Sequence, residues 1–174
     1  MTETEEIMWE GRFVTAKRKG RWEYVSRSRG IRAAVIIAID GTDDPHMILV
    51  EQYRVPLGRN CLELPAGLVG DNEHGEDAST AAIRELEEET GYRAAKMIDL
   101  GEFYSSPGMV SESFSLFRAE GLEKVSEGGG TDGENITVHR VPLSGMADFV
   151  AARRAEGMGI DVRLMIAMGA EMLG

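Results

Sequence analysis

Three glutamates share one face of a predicted helix in the stretch RELEEETG, residues 84–91. Glu85, Glu88 and Glu89 stand at positions i, i+3 and i+4, and side chains at these positions lie together on an α-helix. Such a cluster repels itself unless cations compensate the charge. Arg84 can reach Glu88, and Mg²⁺ prefers oxygen ligands of this kind. Taken alone, the stretch fits a solvated acidic helix face, and a divalent-metal site is the alternative that the surrounding sequence favours.

Strands are predicted on both sides of this helix, which itself is predicted over residues 77–90. The apolar run at residues 33–39 is typical of a strand buried on both faces. Further strands are predicted at residues 7–14, 22–26, 47–53, 60–64, 97–104, 113–119 and 136–141, a loop at 68–75, and helices at 146–154 and 162–173. This order of elements predicts an α/β or α+β sandwich with a mixed sheet.

Length and charge narrow the class of protein. The 174 residues suit one domain over residues 1–174, and the formal net charge of −11 repels DNA and RNA, so we expect no nucleic-acid partner. No segment approaches the roughly 18 apolar residues of a membrane span. Residues 1–6 lack the apolar region of a signal peptide, and Cys61 has no second cysteine to pair with. We therefore expect a cytoplasmic protein, with Cys61 as a small buried side chain.

A longer pattern surrounds the glutamates. It reads Gly70-x5-Glu76-x7-Arg84-Glu85-Leu86-x-Glu88-Glu89-x-Gly91-Tyr92. This string resembles the signature of the Nudix hydrolases at every specified position. The resemblance implies an αβα sandwich around a mixed sheet, with an N-terminal region of antiparallel strands.

Other segments resemble the ADP-ribose pyrophosphatase branch of that family. They are WEYV at residues 22–25 with Arg27, QYR at 52–54, ELPAG at 63–67, and SPG at 106–108 followed by Glu112. One feature departs from the branch: eight residues separate Gly67 from Glu76, where five are expected. The loop at 68–75 is therefore predicted to be three residues longer than usual, and Glu76 is implied to tie it to the helix.

The resemblance implies a metal centre for Mg²⁺, with Mn²⁺ as the alternative ion. Glu85 and Glu89 correspond to direct ligands, and Glu88 to a ligand or to a residue that acts through water. The carbonyl oxygen of Ala66 is similar in position to a backbone ligand. Arg84 is implied to orient one of the carboxylates.

The proton acceptor is less sharply indicated. Glu112, which follows Pro107 and Gly108 in a loop, resembles the general base, and a plain surface glutamate is its alternative. Glu134 and Glu120 are competing candidates for the same role.

Four residues are implied to bind substrate. Trp22 would stack on adenine, from the other subunit of a dimer, with a core position as the alternative for a tryptophan in a strand. Arg27 lies on the same implied adenine-binding strand. Arg54 would contact phosphate or ribose, because guanidinium groups match phosphate oxygens, with an exposed strand arginine as the alternative. Glu63 would shape the site or pair with a neighbour.

The function that follows is Mg²⁺-dependent hydrolysis of the diphosphate bond of ADP-ribose, by metal-activated water, to AMP and ribose 5-phosphate. The same chemistry on a nucleoside diphosphate sugar or another nucleotide conjugate is the first alternative. A non-catalytic nucleotide sensor is the alternative from another class, and a calcium-binding loop at residues 71–77 lacks EF-hand spacing. The resemblance also implies a homodimer in which strands from about residues 7–30 are exchanged.

Overall fold

A computed structural model describes residues 4–28, 32–69, 77–131 and 133–169 of the chain. These residues form strands β1 (Glu5–Glu10), β2 (Val14–Lys19), β3 (Trp22–Arg27), β4 (Arg32–Asp40), β5 (His46–Arg54), β6 (Arg59–Glu63), β7 (Ala66–Val69), β8 (Tyr92–Tyr104), β9 (Ser113–Lys124), β10 (Thr137–Pro142) and β11 (Gly159–Ile160), and helices α1 (Ala78–Thr90), α2 (Met146–Ala155) and α3 (Leu164–Ala167).

The main sheet is mixed and consists of two groups of strands. One group has the order β7–β4–β9–β8 and the other β10–β5–β6–β11. They meet where the end of β4 pairs with the start of β5, Ile39 opposite Met47 and Asp40 opposite His46. Strand β4 runs parallel to β9, and β11 runs parallel to β6, whereas the other pairs are antiparallel. The predicted mixed sheet is confirmed.

Helices cover both faces of this sheet. Alternate side chains of β4 point to opposite faces, so Ile36 packs in the same cluster as Leu86 of α1. Val35 packs on the other face with Met146 of α2 and Leu164 of α3. The predicted αβα sandwich is confirmed. No helix in the described ranges is long and apolar enough to cross a membrane.

The N-terminal residues form a separate antiparallel sheet in the order β1–β2–β3. The sequence predicted two strands in this region, over residues 7–14 and 22–26, whereas the structure has three, so the single strand at 7–14 is wrong. The chain turns at residues 11–13, and the second turn is confined to Gly20, whose φ of 58° is left-handed, and Arg21. Val25 ties this sheet to the body through backbone hydrogen bonds with residues 109 and 111.

Helix α1 begins and ends where the sequence predicts. The Asp77 carboxylate accepts a hydrogen bond from the Ser79 N–H at the start, and Gly91 with a φ of 73° ends the helix. Ala82 on this helix is fully buried and packs against the sheet with Leu86. Cys61 is buried, as predicted.

Two boundaries differ from the prediction. The helix expected over residues 162–173 begins only at Leu164, because residues 162 and 163 form a turn; it spans Leu164–Ala167, and residues 170–173 lie outside the described residues. The loop predicted from residue 68 begins no earlier than residue 70, since Leu68 and Val69 belong to β7 and pair with β4. Gly70 and Glu76 lie outside the described residues.

Candidate active site

A cavity of about 560 Å³ is lined by residues from strands β3 to β7, from helix α1 and from three later segments of the chain. It brings together the following residues that the sequence predicted for the site: Arg27, Arg54, Glu63, Ala66, Glu85, Glu89 and Glu112. Because these residues come from distant parts of the chain, their assembly is a property of the fold.

Glu89 is the most deeply placed carboxylate of the helix cluster. Its residue is only 6% exposed, and the backbone N–H of Ala66 donates a 3.0 Å hydrogen bond to its Oε2 atom. The bend at Pro65 is in turn held because the Pro65 carbonyl oxygen accepts from the Ile36 N–H at 2.9 Å. Strand β7 is thereby joined to the helix at its acidic face.

Glu85 lies against the same bend. A Cβ atom added to Gly67 would fall 1.9 Å from the Glu85 Cδ atom, so no larger residue fits there without displacing the carboxylate. The Nη1 atom of Arg84 lies 2.9 Å from Glu85 Oε1 and 2.9 Å from Glu88 Oε2. One guanidinium group therefore contacts two of the three clustered carboxylates.

Burial makes these carboxylates costly to ionise. Desolvation raises the pKa of Glu89 to about 8, and the negative charges of Glu85 and Glu134 push it in the same direction. Desolvation also raises the pKa of Glu85, against the opposing effect of Arg84. The protein alone thus leaves this acidic cluster short of positive charge.

That shortage suits a hard divalent cation. Among the residues that the structure describes, no group of three histidine, cysteine, aspartate or glutamate side chains is arranged to hold a metal ion by itself. Mg²⁺ is commonly bound through one or two carboxylates, with waters and substrate phosphates completing its coordination. Glu85 and Glu89 beside the bend at Ala66 offer a donor set of that kind.

The three candidate bases occupy different environments. Glu112 lines the cavity and accepts a 2.5 Å hydrogen bond from Arg27 Nε. Glu134 also lines the cavity, accepts a 2.7 Å bond from the Thr131 N–H, and raises the pKa of both Glu85 and Glu89. Glu120 is exposed on β9 and pairs with Arg118, away from the cavity wall.

Arg54 is held by Glu63 in a bidentate pair. Its Nε and Nη2 atoms donate to the two Glu63 oxygens at 2.6 and 2.9 Å. Glu63 is 2% exposed and also accepts a 3.1 Å bond from Arg163. Of the two interpretations of Glu63, the structure therefore shows pairing with neighbours, on the wall of the cavity.

Trp22 lies outside this cavity. It is 57% exposed and lines a second hollow of about 460 Å³ with Tyr24, Pro107 and Val110. A core role for this tryptophan is excluded. Trp22 is not among the residues that line the main cavity, and its stacking on adenine stays a prediction.

Sequence reasoning missed Asp161 and Arg163, which both line the cavity. Arg163 contacts a partner 100 positions away in the chain, and no local pattern records such a pairing. The apolar periodicity of residues 162–173 instead indicated a helix. Only the return of β11 alongside β6 explains why the two charged side chains face the cavity.

Comparison with known proteins defines the class. Residues 30–156 match the model of the NUDIX domain, and the chain therefore belongs to the Nudix hydrolase family. A solved structure described as an ADP compounds hydrolase superposes with a TM-score of 0.67 at 26% sequence identity, covering 87% of this chain and 82% of that one.

Two bacterial relatives show how far the likeness extends. The methanol dehydrogenase activator of Bacillus methanolicus is 44% identical over 70% of this chain and 64% of its own length. The ADP-ribose pyrophosphatase of Bacillus subtilis is 39% identical over 70% of this chain and 63% of its own length. The chain thus spans slightly less than two thirds of either relative.

We predict that Glu89→Gln stabilises the metal-free protein at alkaline pH. Folding raises the pKa of the Glu89 carboxyl to about 8. The folded protein therefore loses stability as pH rises from the pKa of the unfolded chain to that value, because the buried carboxyl must ionise. The melting temperature of the variant should exceed that of the wild type at about pH 9 in EDTA, and the difference should vanish near about pH 4. Mg²⁺ should raise the melting temperature of the wild type more than that of the variant.

Glu87→Gln is the matched control, because Glu87 lies on the same helix but is paired with Arg93, which lowers its pKa. This control should not gain stability at high pH. A Glu89→Gln variant whose advantage is the same at both pH values would contradict the raised pKa.

Proposed function

We propose that this protein hydrolyses the diphosphate linkage of ADP-ribose or a related nucleoside diphosphate sugar, with Mg²⁺ as the metal. The observation that carries the proposal is one cavity in which buried carboxylates, Glu85 and Glu89, lie with Arg54. Arg54 is close enough for its charge to lower the pKa of Glu89. An acidic site for cations beside a guanidinium group suits a diphosphate, whose charge needs both partners.

Each residue of the cavity has a proposed role in this reaction. Glu85, Glu89 and the Ala66 carbonyl oxygen would hold the divalent ions, and Arg84 would keep Glu85 and Glu88 together despite their repulsion. Such cations would neutralise the charge of the diphosphate and make the attacking water more acidic. Arg54 would bind phosphate oxygens through the edge of its guanidinium group that Glu63 does not engage. A carboxylate on the cavity wall would take the proton from the attacking water.

The names of the relatives support ADP-ribose as the substrate, and they also leave another nucleotide conjugate as the alternative. One bacterial relative is named for ADP-ribose and the solved neighbour for ADP compounds. The other is named for activation of a dehydrogenase, and the shared part of the chain is incomplete in both bacterial cases. Another nucleotide conjugate therefore remains the competing substrate for the same chemistry.

A substrate panel tests the proposal. We expect AMP release from ADP-ribose in Mg²⁺, none in EDTA, and slower turnover of ADP-glucose, UDP-glucose, dinucleoside polyphosphates and NADH. Glu85→Gln should reduce kcat by several orders of magnitude, because it removes a charged metal ligand, whereas Glu87→Gln on the exposed side of the helix should not. Products would be separated by chromatography.

Each outcome of the panel is informative. Faster turnover of another substrate would keep the chemistry and replace ADP-ribose. Near-full activity of Glu85→Gln would refute the metal assignment. Tight ADP-ribose binding without turnover of any substrate would favour the nucleotide-sensor alternative.

The general base is proposed from two glutamates. Glu112 is the prediction from sequence, but one oxygen of its carboxylate is already engaged by Arg27 at 2.5 Å. Two observations support Glu134 as the base: it lines the cavity, and its charge raises the pKa of both Glu85 and Glu89. We therefore expect the larger loss of kcat from Glu134→Gln, about 10²- to 10⁴-fold for a general base.

Glu112→Gln should then mainly raise KM through the loss of its ion pair with Arg27. Glu120→Gln serves as the control, because Glu120 is exposed and remote from the cavity. The reverse order of losses in kcat would return the role to Glu112.

We also propose a homodimer formed through the N-terminal sheet. Every residue of β1 is exposed in the single chain, with Ile7 at 61% and Trp9 at 59%, and an exposed apolar strand of this kind suits an interface. Light scattering should give about twice the 19.0 kDa chain mass, and Trp22→Ala should raise KM for adenine substrates. A monomer, or an unchanged KM, would refute the respective claim. The cytoplasmic location stays a prediction, to be checked by cell fractionation.

A further inference from the structure

Four charged side chains of alternating sign form a continuous chain on one wall of the cavity. Asp161 accepts bonds of 2.8 and 2.6 Å from Arg163, and Arg163 donates at 3.1 Å to Glu63. Glu63 in turn accepts both bonds from Arg54. Two negative and two positive groups balance, so the set is neutral as a whole.

Burial makes each link of this chain depend on the others. The Glu63 side chain is 3% exposed, and those of Arg163 and Asp161 are each 19% exposed. Removing one partner from such a set leaves a charge with little water to stabilise it. Arg163 bridges two carboxylates, so its removal would leave Arg54 as the remaining positive group of the set. Glu63 and Asp161 would then compete for the Arg54 guanidinium.

The fold holds Asp161 and Arg163 at a defined place. Strand β11 runs parallel to β6, and the Asp161 N–H continues this pairing with a 3.0 Å bond to the Leu62 carbonyl oxygen. The Asp161 carboxylate also accepts the Arg163 backbone N–H at 2.7 Å. Leu164, which follows directly, is fully buried in the core. The two charged residues thus lie between a strand pairing and a core anchor.

Arg54 is less constrained by itself. Its side chain is 39% exposed, and it stands at the end of β5, just before a short 3₁₀ turn at Val55–Leu57. A long, half-exposed arginine loses rotamer freedom when it is held in one geometry. The rigid bidentate pair with Glu63 provides that geometry, and Arg163 in turn restrains Glu63.

We propose that Arg163, oriented by Asp161, is a positioning residue that sets the direction of Arg54 through Glu63. The inference rests on the proposed function, because it takes Arg54 to bind the diphosphate of the substrate. The turn at residues 161–163, near the end of the described chain, therefore adjusts substrate affinity without touching substrate. Phe114 supports the arrangement, with its ring centroid 5.9 Å from the Arg163 guanidinium carbon.

A double-mutant cycle tests this indirect action. Arg163→Met keeps much of the side-chain volume and removes the charge, and it should raise KM about tenfold or more while kcat changes little, because a misplaced binding group weakens substrate binding. In an Arg54→Met background the same change should have no further effect on KM. Asp161→Asn, a milder variant that keeps the shape, should raise KM by less.

Arg93→Met is the matched control. Arg93 also forms a bidentate pair with a glutamate, Glu87, at 2.8 Å for both bonds, but on the exposed outer surface. Its KM should equal that of the wild type. Melting temperatures of all variants separate folding from affinity, and Arg163→Lys, which can hold only one of the two carboxylates well, should restore part of the loss.

Several results would overturn the inference. A lowered melting temperature with unchanged KM would make Arg163 purely structural. Additive effects of Arg163→Met and Arg54→Met on KM would mean that Arg163 contacts substrate itself. If the wild type turns over no substrate of the panel, the proposed function fails instead, and the cycle is then measured as ADP binding by calorimetry. Equal ADP affinity of wild type and Arg163→Met would refute the inference there.

Discussion

The hydrogen bond between the Ala66 N–H and the Glu89 carboxylate joins the two parts of the molecule on which the site depends. It connects the bend before β7 to the acidic face of α1. The contact is possible because Gly67 has no side chain, which lets the Glu85 carboxyl lie against the backbone. A helix that carries three glutamates is thereby held with its acidic face against a strand, rather than turned to solvent.

This close approach has an electrostatic consequence. Helix and strand exclude water from Glu89, and the pKa of that carboxyl rises to about 8 as a result. The charges of Glu85 and Glu134 act in the same direction. Burial of the Glu89 carboxylate therefore lowers the stability of the folded protein, and a divalent cation bound there can offset this loss. Functional sites commonly show such a local cost in stability.

Another part of the cavity wall is organised differently. Arg54, Glu63, Arg163 and Asp161 neutralise one another, so this wall is ordered without any ligand. One part of the cavity lining thus lacks positive charge, whereas the charges of the other part balance. The division depends on β11, which brings the last part of the described chain beside β6.

The sequence by itself determined the bounds of helix α1 and the common face of Glu85, Glu88 and Glu89. These features depend on spacings of three and four residues and on one glycine, so they are local. The family followed from the same stretch and its neighbours, and with it the αβα sandwich, now confirmed.

Tertiary structure alone decided the depth of Glu89, the bridge from Arg163 to Glu63 and the separation of Glu120 from Glu134. Each depends on contacts between residues tens of positions apart: Ala66 and Glu89 differ by 23 positions, and Glu63 and Arg163 by 100. Burial and charge pairing are set by which segments meet in space. The sequence pattern of a helix glutamate is the same whether its side chain faces water or a strand. Only the packing of the folded chain distinguishes these two environments.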